Sequence, residues 1–158
     1  MNEGYEPKSS FLTWVLSEEA PLVGGEHAEY NLSRVIALTE DEDTSNRDWA
    51  TFILAVNDVD TPAIRRALLA RADDADERVR AQAIEGLASK EPLLALPYIK
   101  RALEGSSALV GIFDAAVVVA DPSLVGPLRK FAKKASADWS GDVVREALKA
   151  CELAAKDV

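Results

Sequence analysis

The sequence is poor in the residues that usually carry chemistry: it holds one cysteine, one histidine and one methionine, and aromatics make up 6% of it. With Cys151 alone no intrachain disulfide forms, and no Cys/His cluster has the spacing of a zinc site. Cys151 has no histidine near it in sequence and sits in a helical Ala-Cys-Glu-Leu setting, which points to packing and not to a nucleophile. His27, beside Gly24-Gly25, has no second histidine to work with, and two glycines are too short a signal for a phosphate loop. Long apolar runs are missing too. The longest candidate, 108–120, is interrupted by Asp114 and is shorter than the roughly 18 residues that suggest a membrane helix. The first ten residues are polar and lack the basic start of a signal peptide. These absences lead to the expectation of a cytoplasmic, non-enzymatic protein with no cofactor, no metal and no membrane partner.

Positive charge is scarce in one half only. Residues 1–77 contain 6 Lys/Arg and 17 Asp/Glu, a net of −11; residues 78–158 contain 12 and 10, a net of +2, which together give the chain's −9. So acidic a chain is poorly suited to coating nucleic acid and better suited to meeting a basic partner.

What is abundant is alanine and leucine in helical spacing. At 48% hydrophobic and 28% charged, the chain reads as globular and all-α, a single domain over 1–158. Residues 1–9 read as a flexible tail, 11–43 as N-terminal helices and 44–156 as repeats with a C-terminal helix. Pro21, Gly24 and Gly25 break the first helix from the second. Helices are expected over about 46–56, 62–72, 76–89, 92–104, 107–119, 122–135 and 142–156. Their expected caps are Thr44 or Ser45, Asp60 or Thr61, Asp74 or Asp76, Asp121 and Asp142. Pro62 and Pro122 fall at first turns, where a missing N–H costs nothing, whereas Pro97 lies inside a helix. The helix at 107–119 is apolar nearly all round and is expected to be deeply buried. Trp49 is expected in or near the core, Trp14 at an open end of the helical stack, and Trp139 in a loop.

Part of the chain repeats. RDWATFILA at 47–55 returns as VRAQAIEGLA at 79–88, each followed by a second amphipathic segment, and Ala50, Ala83 and Ala116 stand 33 apart. Leu54, Leu87 and Ala120 follow one turn later, and Ile64, Ile99 and Leu128 hold matching places in the second helices. A period near 33 marks an α-solenoid of about three helix pairs plus flanking helices. Asp74-Ala75-Asp76-Glu77, Val79-Arg80, Ala83 and Leu87-Ala88, followed by Ala95-Leu96-Pro97 and Ile99, resemble HEAT-like repeats of the bacterial type. The resemblance is strongest over 44–88 and extends over about 30–152. It implies a right-handed solenoid that presents a surface for partners, a fold that hosts scaffolds, inhibitors, immunity proteins, lyases and DNA-repair enzymes alike. The third repeat departs from the pattern, with Phe113 where the first two have Arg47 and Arg80.

Two sets of charged residues stand out as candidate sites. Glu40, Asp41, Glu42 and Asp43, and then Asp73, Asp74, Asp76 and Glu77, fall at successive inter-repeat turns. Capping and the helix dipole account for one or two acids per turn. The surplus is either a solvated edge or a docking site for a basic partner. The second helices carry Arg65-Arg66, Lys100-Arg101 and Arg129-Lys130 just after their core residues. Arg66, Arg101 and Lys130 lie about 200° from that core position and face solvent. They form either an ordinary solvated face or a basic stripe; HEAT-like repeats usually turn their second helices to the concave binding face. The leading expectation is an inhibitor or immunity protein that neutralises a basic toxin or nuclease through its acidic surface. The alternative is nucleic-acid binding through the basic stripe.

Overall fold

A computed structural model of the chain describes residues 4–158, whose regular structure is helical with no β-strand among the described residues. Contacts sort the chain into two compact units, one through Ala83 and one from Ile84. The first contains α1 (Ser10–Leu16), α2 (Ala28–Leu38), α3 (Thr44–Val56) and α4 (Pro62–Arg71). It also contains the first half of α5 (Glu77–Lys90). The second unit takes the rest of α5, then α6 (Pro92–Ala102), α7 (Val110–Val119), α8 (Val125–Ala132) and α9 (Trp139–Lys156). A 3-10 turn, Pro122–Leu124, leads into α8.

In the first unit α3 is the central element, packing against α1, α2 and α4. Its inward side, Ala50, Ile53 and Leu54, meets a core that includes Leu12, Val35, Ile64 and Leu68. In the second unit α7 packs against α6 and α9, and α9 also covers α8. Leu87, Ile99, Ile112, Phe113, Leu124, Leu128, Val144 and Cys151 are buried there. The repeat register holds at the level of burial. Ala50, Ala83 and Ala116 are buried, as are Leu54 and Leu87, and so are Ile64, Ile99 and Leu128. Small residues at the alanine positions let helices approach closely; the isoleucine and leucine positions supply the apolar burial that stabilises the packing.

Several local expectations are corrected. The stretch expected as a flexible tail is held on α3 from Tyr5 onward: Tyr5 donates to Asp48 and Ser9 N–H donates to Asn46, both at 2.8 Å, and Lys8 pairs with Asp43. Residues 1–3 lie outside the described residues. The cap of α3 is Asp43, one residue before the expected Thr44 or Ser45, and the cap of α9 is Asp138 instead of Asp142. In both cases an aspartate carboxylate reaches back-to-back N–H groups with good geometry, and the helix starts earlier than its apolar pattern. Trp139 is therefore the first residue of α9, 67% exposed, and not a loop residue. The helix α7 begins at Val110 instead of 107 and is buried on one side only; Val118 is 53% exposed. Thr61, Asp76 and Asp121 cap as expected.

Ala120, the third member of the leucine series, ends α7 in the left-handed region at φ 47°, ψ 47°, with its N–H bonded to Ala116. An L side chain there is disfavoured by about 1–2 kcal/mol, and glycine is the residue that removes the strain. Replacing Ala120 by glycine is expected to stabilise the protein by about 1 kcal/mol, a rise of about 2–4 °C in melting temperature by calorimetry.

Candidate protein-binding surface

The two acidic turns are built alike. Asp41 Oδ1 accepts the N–H of Asp43 at 2.8 Å, and Asp74 Oδ1 accepts the N–H of Asp76 at 3.0 Å. Asp43 then caps α3 through Ser45 and Asn46, while Asp76 caps α5 through Arg78 and Val79. An arginine six residues after the first aspartate closes each turn from below. Arg47 Nη1 donates to the carbonyls of Asp41 and Glu42, both at 3.0 Å; Arg80 Nη1 donates to those of Asp74 and Ala75, at 2.7 and 2.9 Å. Carbonyls at such a turn have no helical partner, so each arginine satisfies two acceptors and neutralises local charge.

The turns are also joined to each other. Arg47 presents its fork to Asp74, Nε to Oδ2 at 3.1 Å and Nη2 to Oδ1 at 3.2 Å, and Arg71 adds a third bond to Oδ2 at 3.0 Å. The Asp74 side chain is only 3% exposed. Burial alone would raise its pKa. The hydrogen bonds from Arg47 and Asp76 and the charges of Arg47 and Arg71 outweigh that, and the carboxyl is held below its ordinary value. Asp76 is lowered in the same way, its backbone bonds to Arg78 and Val79 overcoming burial. Asp43 is lowered chiefly by Lys8 and Ser45.

Of the eight acids singled out in the sequence, Asp41, Asp43, Asp74 and Asp76 therefore build the turns. Glu40, Glu42, Asp73 and Glu77 are exposed to solvent. The two acids per turn that capping explains are the aspartates, and the surplus is mostly glutamate.

The basic residues divide similarly. In the first unit Arg65 is locked to Asp60 by two bonds, at 2.8 and 2.7 Å, while Arg66 is exposed. In the second, Arg129 pairs with Glu152 on α9 at 2.9 Å, and Lys100 is half-buried with its charge felt by Asp121. Arg101 and Lys130 are exposed as the helical phase requires, with the Arg101 guanidinium 4.9 Å from the Tyr98 ring centroid. Arg65 and Arg129 are thus committed to carboxylates of their own unit.

A second cluster had no signal in the sequence. The Tyr5 ring stacks on Trp49 at 6.3 Å, with the Arg78 guanidinium 4.6 Å from its centroid, and Trp49 meets Phe52 edge-on. Trp49 is accordingly half-buried. Asp48, beneath Tyr5, is buried, and its Oδ1 has no hydrogen-bond partner. Burial raises the Asp48 carboxyl, although the Tyr5 hydroxyl and Arg78 pull the other way. Burial and then Asp48 push the Tyr5 hydroxyl up to about 12. Cys151, far along the chain, is fully buried with its Sγ 3.6 Å from the Ala116 carbonyl, and burial lifts its thiol to about 11. A thiol so protonated is a packing group.

Asparagine in place of Asp74 keeps one acceptor oxygen, but it loses the charge and turns an NH2 donor toward Arg47 and Arg71. Asp74→Asn is expected to cost about 3 kcal/mol in urea unfolding. Carboxyls lowered in the folded state add stability that is complete above their unfolded pKa and is lost as pH falls through the folded value. Asp43, Asp74 and Asp76 have this sign; Asp48 has the opposite one. The melting temperature is therefore expected to drop steeply below about pH 4, and less steeply in Asp74→Asn. Tyr5→Phe removes the donor to Asp48 Oδ2 and is expected to cost about 1–2 kcal/mol in urea unfolding.

No protein-family model and no curated protein matches the chain. The X-ray structure of YibA from Escherichia coli does, with a TM-score of 0.66 at 20% identity, over 90% of this chain and 54% of that one. The chain thus spans about half the length of YibA, and the likeness is one of fold: this protein is all-α and built as a HEAT-like α-solenoid.

Proposed function

We propose that this chain is a non-enzymatic protein-binding module whose partner is a basic protein, with an inhibitor or immunity protein against a basic toxin or nuclease as its specific form. The observation that carries the reading is the division of labour at the acidic turns. Asp41, Asp43, Asp74 and Asp76 are occupied in folding, yet Glu40, Glu42, Asp73 and Glu77 remain at the surface, in a half of the chain with a net charge of −11. Local structure needs no such excess, and like charges gathered along one edge cost stability unless a partner repays it. An edge of this kind steers a cationic partner and fixes its orientation more than it adds affinity. Nucleic-acid binding is the weaker reading, because Arg65 and Arg129 are already paired with carboxylates.

The test follows from the same division. Reversing all of residues 40–43 would unfold the turn along with the surface, since Asp41 and Asp43 hold it. Reversal of Glu40, Glu42 and Glu77 to lysine is expected to leave the melting temperature within a few degrees of wild type and to abolish capture of the partner from the native host at low salt. Unchanged capture would remove the acidic edge from the interface. Salt-steep DNA or RNA binding that is lost in Arg66→Ala, Arg101→Ala, Lys130→Ala would replace this reading with the nucleic-acid one.

A further inference from the structure

A groove of about 530 Å³ opens in the first unit between the end of α1, the loop that follows it and the last turn of α3. Its lining is mixed: Val15, Leu16 and Val23 from α1 and the loop, and Phe52, Ile53 and Val56 from α3, stand beside the polar Glu18 and Asn57. Several of these side chains stand open to water, with Val23 64%, Val56 62% and Leu16 41% exposed. Trp14 and Tyr30, also exposed, belong to the same stretch of chain. Scattered apolar residues are normal on a surface, but apolar residues converging on a groove mark a place where something docks.

The charge around the groove says what kind of segment fits. From Ser9 to Ser33 there is no lysine or arginine and there are four glutamates, Glu18, Glu19, Glu26 and Glu29. Glu18 lines the groove itself, and Glu19 and Glu26 line a smaller cleft of about 370 Å³ across Pro21, the residue common to both. Arg34, the next cation along the chain, lies over the Phe11 ring at 3.8 Å from its centroid, with the Tyr30 ring at 5.9 Å. A groove that sets exposed apolar side chains beside a carboxylate of its own lining, with no lysine or arginine in that lining, is complementary to a segment with apolar side chains on one face and basic ones beside them.

We infer that this groove is the anchor site for a basic amphipathic segment of the partner protein, which seats apolar side chains between Val23 and Val56 and sets its lysines or arginines against Glu18, Glu19 and Glu26. The inference rests on the protein-binding reading and adds to it an apolar contact separate from the acidic turns. Desolvation of the apolar anchors supplies affinity there, and the glutamates supply orientation.

The test uses the full chain and a synthetic probe: a 14-residue helical peptide of leucines at i, i+3, i+4 and i+7 spacing with lysines elsewhere. Two controls accompany it, one with alanine for leucine and one with glutamate for lysine. Amide shift mapping is expected to place the leucine–lysine peptide against residues 15–23 and 52–57, with either control binding at least about tenfold more weakly. The double variant Val23→Ser, Val56→Ser changes two exposed side chains and keeps the charge. It is expected to retain the wild-type melting temperature and to lose about tenfold in affinity for the peptide. Peptide shifts confined to residues 40–43 and 73–77 would overturn the groove and leave the acidic-edge reading standing. No binding of the peptide would overturn the groove as well, while capture of the partner would still decide the broader reading. A wild-type dimer in sedimentation that the serine variant converts to monomer would give the groove to a second copy of the chain and overturn the proposal.

Discussion

The first unit depends on one carboxylate. Asp74 is buried, accepts from the backbone at the start of its own turn, and is gripped by arginines from α3 and from the end of α4. An ionised group in that position is unfavourable unless every lone pair is used, and here the chain supplies four donors for its two oxygens. The arrangement does more than neutralise a charge. Arg47 reaches backward to the carbonyls of one turn and forward to the carboxylate of the next, so a single guanidinium sets the distance between successive turns. Planar, five-donor geometry makes arginine suited to this role; a lysine has neither the fork nor the reach to both sides.

That constraint explains why so many acids stand where they do. A turn leading into a helix needs one carboxylate to cap the N–H groups and another to shape the approach, which accounts for the aspartates with their short side chains. Glutamates are longer and cap less well, and it is they that face outward at 40, 42 and 77. The same sorting applies to the cations. Arg65 and Arg129 fold into ion pairs within their own units, while Arg66, Arg101 and Lys130 keep the helical phase that turns them to solvent.

The elements most legible in the sequence were those with a strict period. Ala50, Ala83 and Ala116 announced the helix contacts, and Ile64, Ile99 and Leu128 the second-helix cores, because apolar burial at fixed spacing leaves a pattern that survives without coordinates. The recurrence of Asp41 and Arg47 as Asp74 and Arg80 was equally visible. The bond from Arg47 to Asp74 was not, since spacing alone does not say which of several acids an arginine will choose. Tyr5 was illegible for a different reason: its partners, Asp48 and Trp49, are more than forty positions away and do not recur in the next copy, where Ala81 and Gln82 stand in their places. The starts of α3 and α9 were misplaced because apolar periodicity marks where a helix is buried, whereas a cap marks where its hydrogen bonds begin. The groove at Val23 and Val56 was hidden in the same manner, as it is assembled from a loop and a helix end with no common period.

The forward reach of Arg47 gives the array a direction of growth. The 33-residue stretch from Thr44 to Asp76 carries both the arginine that reaches out and the aspartate that receives it. A tandem copy of that stretch would reproduce the pair at every added junction. The next stretch would not: it keeps the donor, Arg80, but Ser107 stands 33 residues after Asp74, so the acceptor is missing. Lengthening by duplication is therefore chemically self-consistent from the first repeat and self-terminating from the second, which makes the Thr44–Asp76 segment the natural brick for an extended version of this protein.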